Sequence, residues 1–305
     1  MKAKMNKKNI LLYILISFTF SWLIALIIYL FKLYKTGGTP STLATVLLVV
    51  YMFGPAIAAA IVQKIQGKKI KDLGINFKLN SWWVIGWLTP VFIIILTVII
   101  SAIMGGGLIT NWDEFNKKMI ELFGQEASKS MEQIGKSINY NVWIFYLITI
   151  LSGMIAGATI NALAAFGEEL GWRGFLFVEL KPLGFITSSL IIGTIWGIWH
   201  APIIAMGHNF PQHPLEGIFL MTLFCIALAF IMNYFREKSG SVILSSIMHG
   251  TINGTAGLYL YANTIRNDIL YNLTGVSGII SILITAAIIL LLNNKPTSQI
   301  SNQNH

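Results

Sequence analysis

Apolar residues run in blocks of about twenty separated by polar joints, the length needed to cross a hydrocarbon core of ~30 Å. Eight blocks can be drawn: Ile10–Phe31, Leu43–Gln63, Trp82–Met104, Val142–Leu180, Leu183–Met206, Gly217–Phe235, Ser241–Leu260 and Gly278–Leu292. The pattern predicts an all-α polytopic membrane protein with about eight transmembrane helices. One block does not fit. Val142–Leu180 holds 39 residues, ~58 Å as a single helix and twice what a bilayer needs. Lys181-Pro182-Leu183-Gly184 reads as a turn, so 142–180 and 183–206 form a helical hairpin. The excess length is expected as a kink or interfacial segment near Gly153, Gly157 or Gly167. The long polar stretch 105–141 reads as an extracytoplasmic cap of mixed charge and weak helical periodicity. The chain thus divides into N-terminal membrane helices with this loop (1–141), a membrane core (142–292) and a polar tail (293–305).

Composition agrees with a lipid solvent. Hydrophobic types make up 55% of the 305 residues and charged types 11%, with a mean hydropathy of +0.70. A soluble domain carries roughly 25% charged residues, so an ordinary soluble globule, a disordered chain and a disulfide scaffold are all excluded. The net charge of +9 would suggest nucleic acid in a soluble protein. Here the basic residues lie between apolar runs, and the lipid headgroup surface is the acidic partner instead. With the N-terminus inside, 13 basic residues fall on inner segments and 7 on outer ones. The inner set includes Lys2, Lys4, Lys181, Arg236, Lys238, Lys295 and the Lys64–Lys78 cluster; the outer set includes Lys35, Lys118 and Arg266. That bias predicts both termini in the cytoplasm. Trp82, Trp83 and Trp87 sit at the inner end of the third block, where an aromatic belt belongs. The first block exceeds a signal-peptide core and no A-x-A-like site follows, so it reads as a retained anchor. The lone Cys225 excludes an intramolecular disulfide and reads as buried filler.

Ionisable side chains inside a span cost ~2.5–3.5 kcal/mol each on insertion scales and are functional candidates by default. Three groups stand out: Gly167-Glu168-Glu169-Leu170-Gly171-Trp172-Arg173-Gly174, Trp196-Gly197-Ile198-Trp199-His200, and His249-Gly250-Thr251-Ile252-Asn253. On a helix Glu169 and Arg173 are i,i+4 and can pair, whereas Glu168 lies on another face. One arginine cannot cancel two buried carboxylates, so Glu168 needs a second partner. Counted from the turn at 181–184, Glu168 and His200 reach similar depth on the two hairpin arms. His249 and Asn253 share a face of the seventh block. Each group also carries a G-x-x-x-G: Gly167/Gly171, Gly193/Gly197 and Gly250/Gly254. Small residues at that spacing let backbones approach, which suggests tight packing around a shared pocket.

One carboxylate, two imidazoles and a carboxamide can activate water and stabilise an oxyanion. The same groups could hold a divalent metal such as zinc through Glu168, His200 and His249, with water in the open position. The residues leave both routes open. No Ser/His/Asp set, nucleophilic Cys or phosphate-cradling loop stands out.

The order E-E-x-x-x-R, aromatic-x-x-x-H, H-x-x-x-N on successive membrane helices resembles the CPBP intramembrane proteases, which include type II CAAX prenyl endopeptidases and relatives linked to bacteriocin self-immunity. The match covers roughly 165–255. The resemblance implies a hydrolase of a membrane-associated protein or peptide, in a prokaryotic plasma membrane. It implies that Glu168 activates water with help from His200, that His249 and Asn253 stabilise the oxyanion, and that Glu169 and Arg173 support the geometry. The family is described both as metalloprotease and as a metal-free glutamate type; water activated by Glu168, with metal optional, is the preferred reading. Where the family usually has Phe, this chain has Trp196, which suggests only a changed pocket shape. The competing readings are a catalytically silent scaffold in bacteriocin immunity or signalling, and a proton-coupled transporter using Glu168 and His200 as a relay. His208 and His213 read as part of a solvated turn, and Asn272-Leu273-Thr274 as a chance glycosylation sequon. The sequence carries no signal for an oligomeric state.

Overall fold

The computed structural model describes residues 5–34 and 40–293; Lys2, Lys4, Lys35, Lys295, His305 and the tail beyond 293 lie outside the described residues. Fifteen α-helices make up the described fold, joined by short π and 3-10 turns. The first four are α1 (Lys7–Leu30), α2 (Thr42–Met52), α3 (Gly54–Ile65) and α4 (Ser81–Ser101). The polar cap contains α5 (Trp112–Phe123) and α6 (Gln125–Ser137). The remaining helices are α7 (Val142–Ala158), α8 (Ile160–Glu169), α9 (Phe177–Leu180), α10 (Phe185–Trp199), α11 (Ala201–Ala205), α12 (Pro214–Ser239), α13 (Val242–Thr255), α14 (Gly257–Ala262) and α15 (Val276–Asn293). The polar joints start the helices. Asn6, Ser41, Asn80, Asn111, Asn141 and Ser241 each accept a hydrogen bond from a first-turn backbone N–H, satisfying donors that a membrane helix end would otherwise leave bare.

All eight apolar blocks are helical, but they differ in kind. Four stretches are long and apolar enough to cross a membrane: Lys7–Leu30, Thr42–Ile65, Ser81–Gly106 and Pro214–Ser239, or five if the bent pair Lys129–Ser137 and Val142–Ala158 is one span. This is an integral membrane protein by these helices. The helices carrying the polar groups are shorter or interrupted. The 142–180 block breaks at Thr159, whose backbone (φ −121°, ψ −99°) is not helical, and again in a π-helical segment, Leu170–Leu176. These breaks fall near Gly157 and Gly167, as expected, although Gly153 and Gly157 themselves are helical. They serve close packing instead: a Cβ on Gly153 would sit 2.5 Å from the Gly254 carbonyl oxygen, and one on Gly157 2.4 Å from Thr251 Cα. The turn expected at 181–184 is present as a 3-10 turn with Gly184 at φ +82°, and Ser188 Oγ donates to the Leu180 carbonyl at 2.8 Å across it. Beyond that turn α10 lies mainly along α12.

The loops sort to two ends. At one end Lys68 pairs with Glu179 at 3.3 Å, Arg236 donates to the Leu73 carbonyl at 3.1 Å, and Asn80 donates to the Lys238 carbonyl at 3.3 Å. At the other, Lys118 donates to the Thr264 carbonyl, and His213 donates to Asp268 at 2.6 Å. Loops given the same side by their charge therefore meet. His208 and His213 do lie in a turn, but both are tied down: His208 Nδ1 lies 3.1 Å from the Tyr34 hydroxyl, and the part-exposed His213 clasps its loop to 263–275. Asn272 is buried and donates to the Asn209 carbonyl at 2.7 Å, so the folded chain does not offer it for glycosylation.

Candidate active site

Glu168 and Glu169 close α8, and the chain then widens into the π-helical segment, all of whose residues are buried. Such segments recur at functional sites because they re-aim side chains within a helix. This one is wedged in place: a Cβ on Gly171 would lie 2.2 Å from the Tyr13 hydroxyl and 2.4 Å from Pro55 Cβ. Tyr13 also stacks on Phe175 at 4.7 Å. Helices α1 and α3 thereby fix the segment that carries Arg173.

The pairing read from spacing is present. Arg173 Nη1 donates to Glu169 Oε1 at 3.1 Å with both side chains fully buried. His249 Nδ1 shares the same oxygen at 2.8 Å. Glu168 takes a different donor: its Oε2 accepts from the indole Nε1 of Trp196 at 2.8 Å.

Trp196 does more than shape a pocket, which corrects the reading of its replacement for Phe. Besides holding Glu168, its ring lies under the Arg173 guanidinium at 4.3 Å and meets the His249 ring edge-on at 5.6 Å. Its backbone carbonyl accepts from His200 Nδ1 at 2.8 Å. A carbonyl only accepts, so Nδ1 carries the hydrogen and the neutral ring presents Nε2 as a bare acceptor. Glu168 and His200, expected to meet at similar depth, make no bond to each other; each bonds instead to Trp196. Cys225 lies behind His200, its Sγ 4.0 Å from Nδ1.

His200 ends α10 because Pro202 cannot continue the hydrogen-bond ladder. The Trp199 carbonyl, left free at that break, is taken by the Tyr51 hydroxyl and by Trp22 Nε1 at 3.1 Å. Nothing in the spacing of Tyr51 or Trp22 marks them as site supports; each belongs to a helix that reads as generic. Asn253 is exposed and, with His249 and Trp196, lines a cavity of about 100 Å³.

The three glycine pairs do pack closely, the first two against outer helices and the third against α7 and also against α8, the helix that carries Glu168. Gly167 faces Met52 and Phe53, Gly193 and Gly197 face Ile226 and Thr222 on α12, and Gly250 and Gly254 face Gly157 and Gly153. They bring the three polar groups together by fastening each site helix to the surrounding ones.

Among the described residues no three His, Cys, Asp or Glu side chains converge as metal ligands. Glu168, His200 and His249 are therefore not assembled as a ligand set. Glu168 Oε2 is engaged by Trp196, and His249 Nδ1 by Glu169.

Residues 141–255 match the family model described as Rce1-like, type II CAAX prenyl endopeptidase. A curated protein of Methanococcus maripaludis named CAAX prenyl protease 2 is 31% identical over 98 residues, 30% of this chain and 36% of that protein. The chain thus spans about a third of the length of that relative. The matched residues contain all three polar groups assembled around Trp196, and over this segment the chain is similar to the type II CAAX prenyl endopeptidases.

Proposed function

We propose that the chain is a membrane endopeptidase hydrolysing a peptide bond in a membrane-associated protein or peptide, in a prokaryotic plasma membrane. The observation that carries this is the separation of the two buried carboxylates. Glu169 is spent on Arg173 and His249, while Glu168 is oriented by a neutral indole donor at 2.8 Å and keeps its charge for chemistry.

In this mechanism water gives a proton to Glu168 as its oxygen adds to the scissile carbonyl carbon. Glu168 then passes that proton to the leaving amine as the C–N bond breaks. His200, with Nδ1 donated to Trp196, uses Nε2 to accept from the water and fix its direction. The charges of Glu168, Glu169, Arg173 and an imidazolium His249 sum to zero. In that state His249 has Nε2–H left to donate to the oxyanion, with the Asn253 amide as second donor. No step is routed through a metal, since the donors are not gathered for one.

The test is a comparison of peptides released from membranes holding wild type or His200→Ala, using prenylated and unprenylated substrates. His200→Ala should lower turnover about 10²–10⁴-fold while the protein still inserts; equal product in both membranes would remove the proposed role. Trp196→Phe removes the indole N–H while keeping a smaller aromatic ring and the backbone carbonyl. A hydrogen bond to a charged group is worth ~1.5–3 kcal/mol, so kcat should fall roughly tenfold or more with KM little changed. A kcat equal to wild type would show that the bond does not orient Glu168.

A further inference from the structure

A cavity of about 270 Å³ opens at the end of the molecule that bears the cap, beneath α5 and between the 206–213 and 263–275 loops. It is close to the ~300 Å³ lower bound of ordinary ligand sites. Most of its wall lies outside residues 141–255. Asn209 and Tyr259 line both this cavity and the smaller one that reaches Trp196, His249 and Asn253. The two are neighbouring cavities that share these walls, one at the loop face and one at the candidate catalytic groups.

Their walls carry unfinished polar chemistry. Asn263 is 3% exposed, its Nδ2 donates to Ser101 Oγ at 2.5 Å, and its Oδ1 has no partner among the described residues. Thr274, 7% exposed in the inner chamber, likewise has an unpartnered Oγ1. A buried polar atom without a partner costs ~1–3 kcal/mol, so a ligand supplying the missing bonds would be favoured there. An acyl chain would leave both atoms bare. Both atoms are closed to water here, and with the two side chains turned into the chambers a peptide backbone offers an N–H to Asn263 Oδ1 and a carbonyl to the Thr274 hydroxyl.

The mouth has a charge preference as well. Lys118 Nζ is held by Glu121 at 3.2 Å and by the Thr264 carbonyl at 3.3 Å, and Asp268 is committed to the Gln212 N–H and His213. Arg266 is exposed and makes no ion pair among the described residues. We propose that this cavity is a peptide subsite that takes an extended segment with a carboxylate at Arg266 and leads it towards His249 and Asn253. This rests on the endopeptidase reading for its direction, but binding is measured separately from cleavage.

The experiment titrates detergent-solubilised full-length protein with a fluorescein-labelled peptide of alternating Ala and Asp. Its Asn-for-Asp counterpart and the C-terminal amide of each serve as comparisons. Ile265→Trp puts bulk into the mouth from an exposed position and should weaken binding about tenfold. Arg266→Ala should weaken it about threefold, as befits an exposed pair, and only for peptides that keep a carboxylate. Loss on Asn substitution assigns the carboxylate to a side chain, and loss on amidation assigns it to a chain end. Binding that persists in Glu168→Ala without product is expected if both readings hold, whereas binding to wild type that never yields product would retain the subsite and end the endopeptidase reading. No binding to wild type, or binding indifferent to both cavity variants, would overturn the subsite.

Discussion

Glu168→Gln should abolish peptide hydrolysis while leaving the fold intact. The glutamine side-chain oxygen can still accept from Trp196 Nε1, which now stands 2.8 Å from Glu168 Oε2, so the indole is not orphaned. The substitution removes the basic oxygen alone. General-base catalysis is worth ~10²–10⁴-fold, and kcat should fall by at least that much with the thermal midpoint in detergent unchanged. Glu169→Gln provides the contrast. It takes charge from the pair with Arg173 and His249, so its main effect should be on stability. If Glu168→Gln turns over normally and Glu169→Gln does not, the roles assigned to the two neighbours are reversed.

Much of this site is legible from spacing, and what is not has a physical reason. The i,i+4 relation picks out Glu169 with Arg173, and the pair forms even though the chain turns π-helical between them. The need for a second partner is also readable from charge: His249 joins Glu169, and Glu168 is held by an uncharged donor. The indole N–H of Trp196 is invisible to that reasoning because an aromatic in an apolar run looks like packing. Tyr51 and Trp22 are hidden for the same reason; their partner is a backbone carbonyl freed by a helix break, and such a break shows only as Pro202 after His200. The apolar blocks contain the four described helices long and apolar enough to cross a membrane, yet eight blocks overstate the number of such spans. Helices around the site stop early or break where buried polar groups and close glycine contacts replace lipid, and irregular backbone at membrane depth is tolerated only inside protein. The 105–141 stretch shows mixed charge but not its use: α5 packs Phe115 and Met119 inward and places Lys118 at a cavity wall.

Arg173→Met should cost about 3–5 kcal/mol of stability, the range for removing one partner of a buried ion pair. Arg173 is fully buried beside an equally buried Glu169. Its loss leaves that carboxylate with His249 alone, and also takes away the cation lying over the Trp196 ring. The guanidinium is not ideally satisfied, since Nε and Nη2 have no hydrogen-bond partner among the described residues. Its value therefore lies in cancelling charge more than in completing a network. That distinction can be measured by adding Glu169→Gln to Arg173→Met. The double variant has no uncompensated charge at this pair and keeps an oxygen for His249 Nδ1, so it should recover most of the lost thermal stability. Coupling between contacting partners in such a cycle reaches ~0.5–3 kcal/mol. A double variant no more stable than Arg173→Met would mean that the guanidinium acts through packing against Trp196. Catalysis should not recover in step. Restoring charge balance at Glu169 does not restore the cation above the indole that holds Glu168, and the gap between regained stability and regained turnover measures how far Arg173 governs the water-activating carboxylate through Trp196.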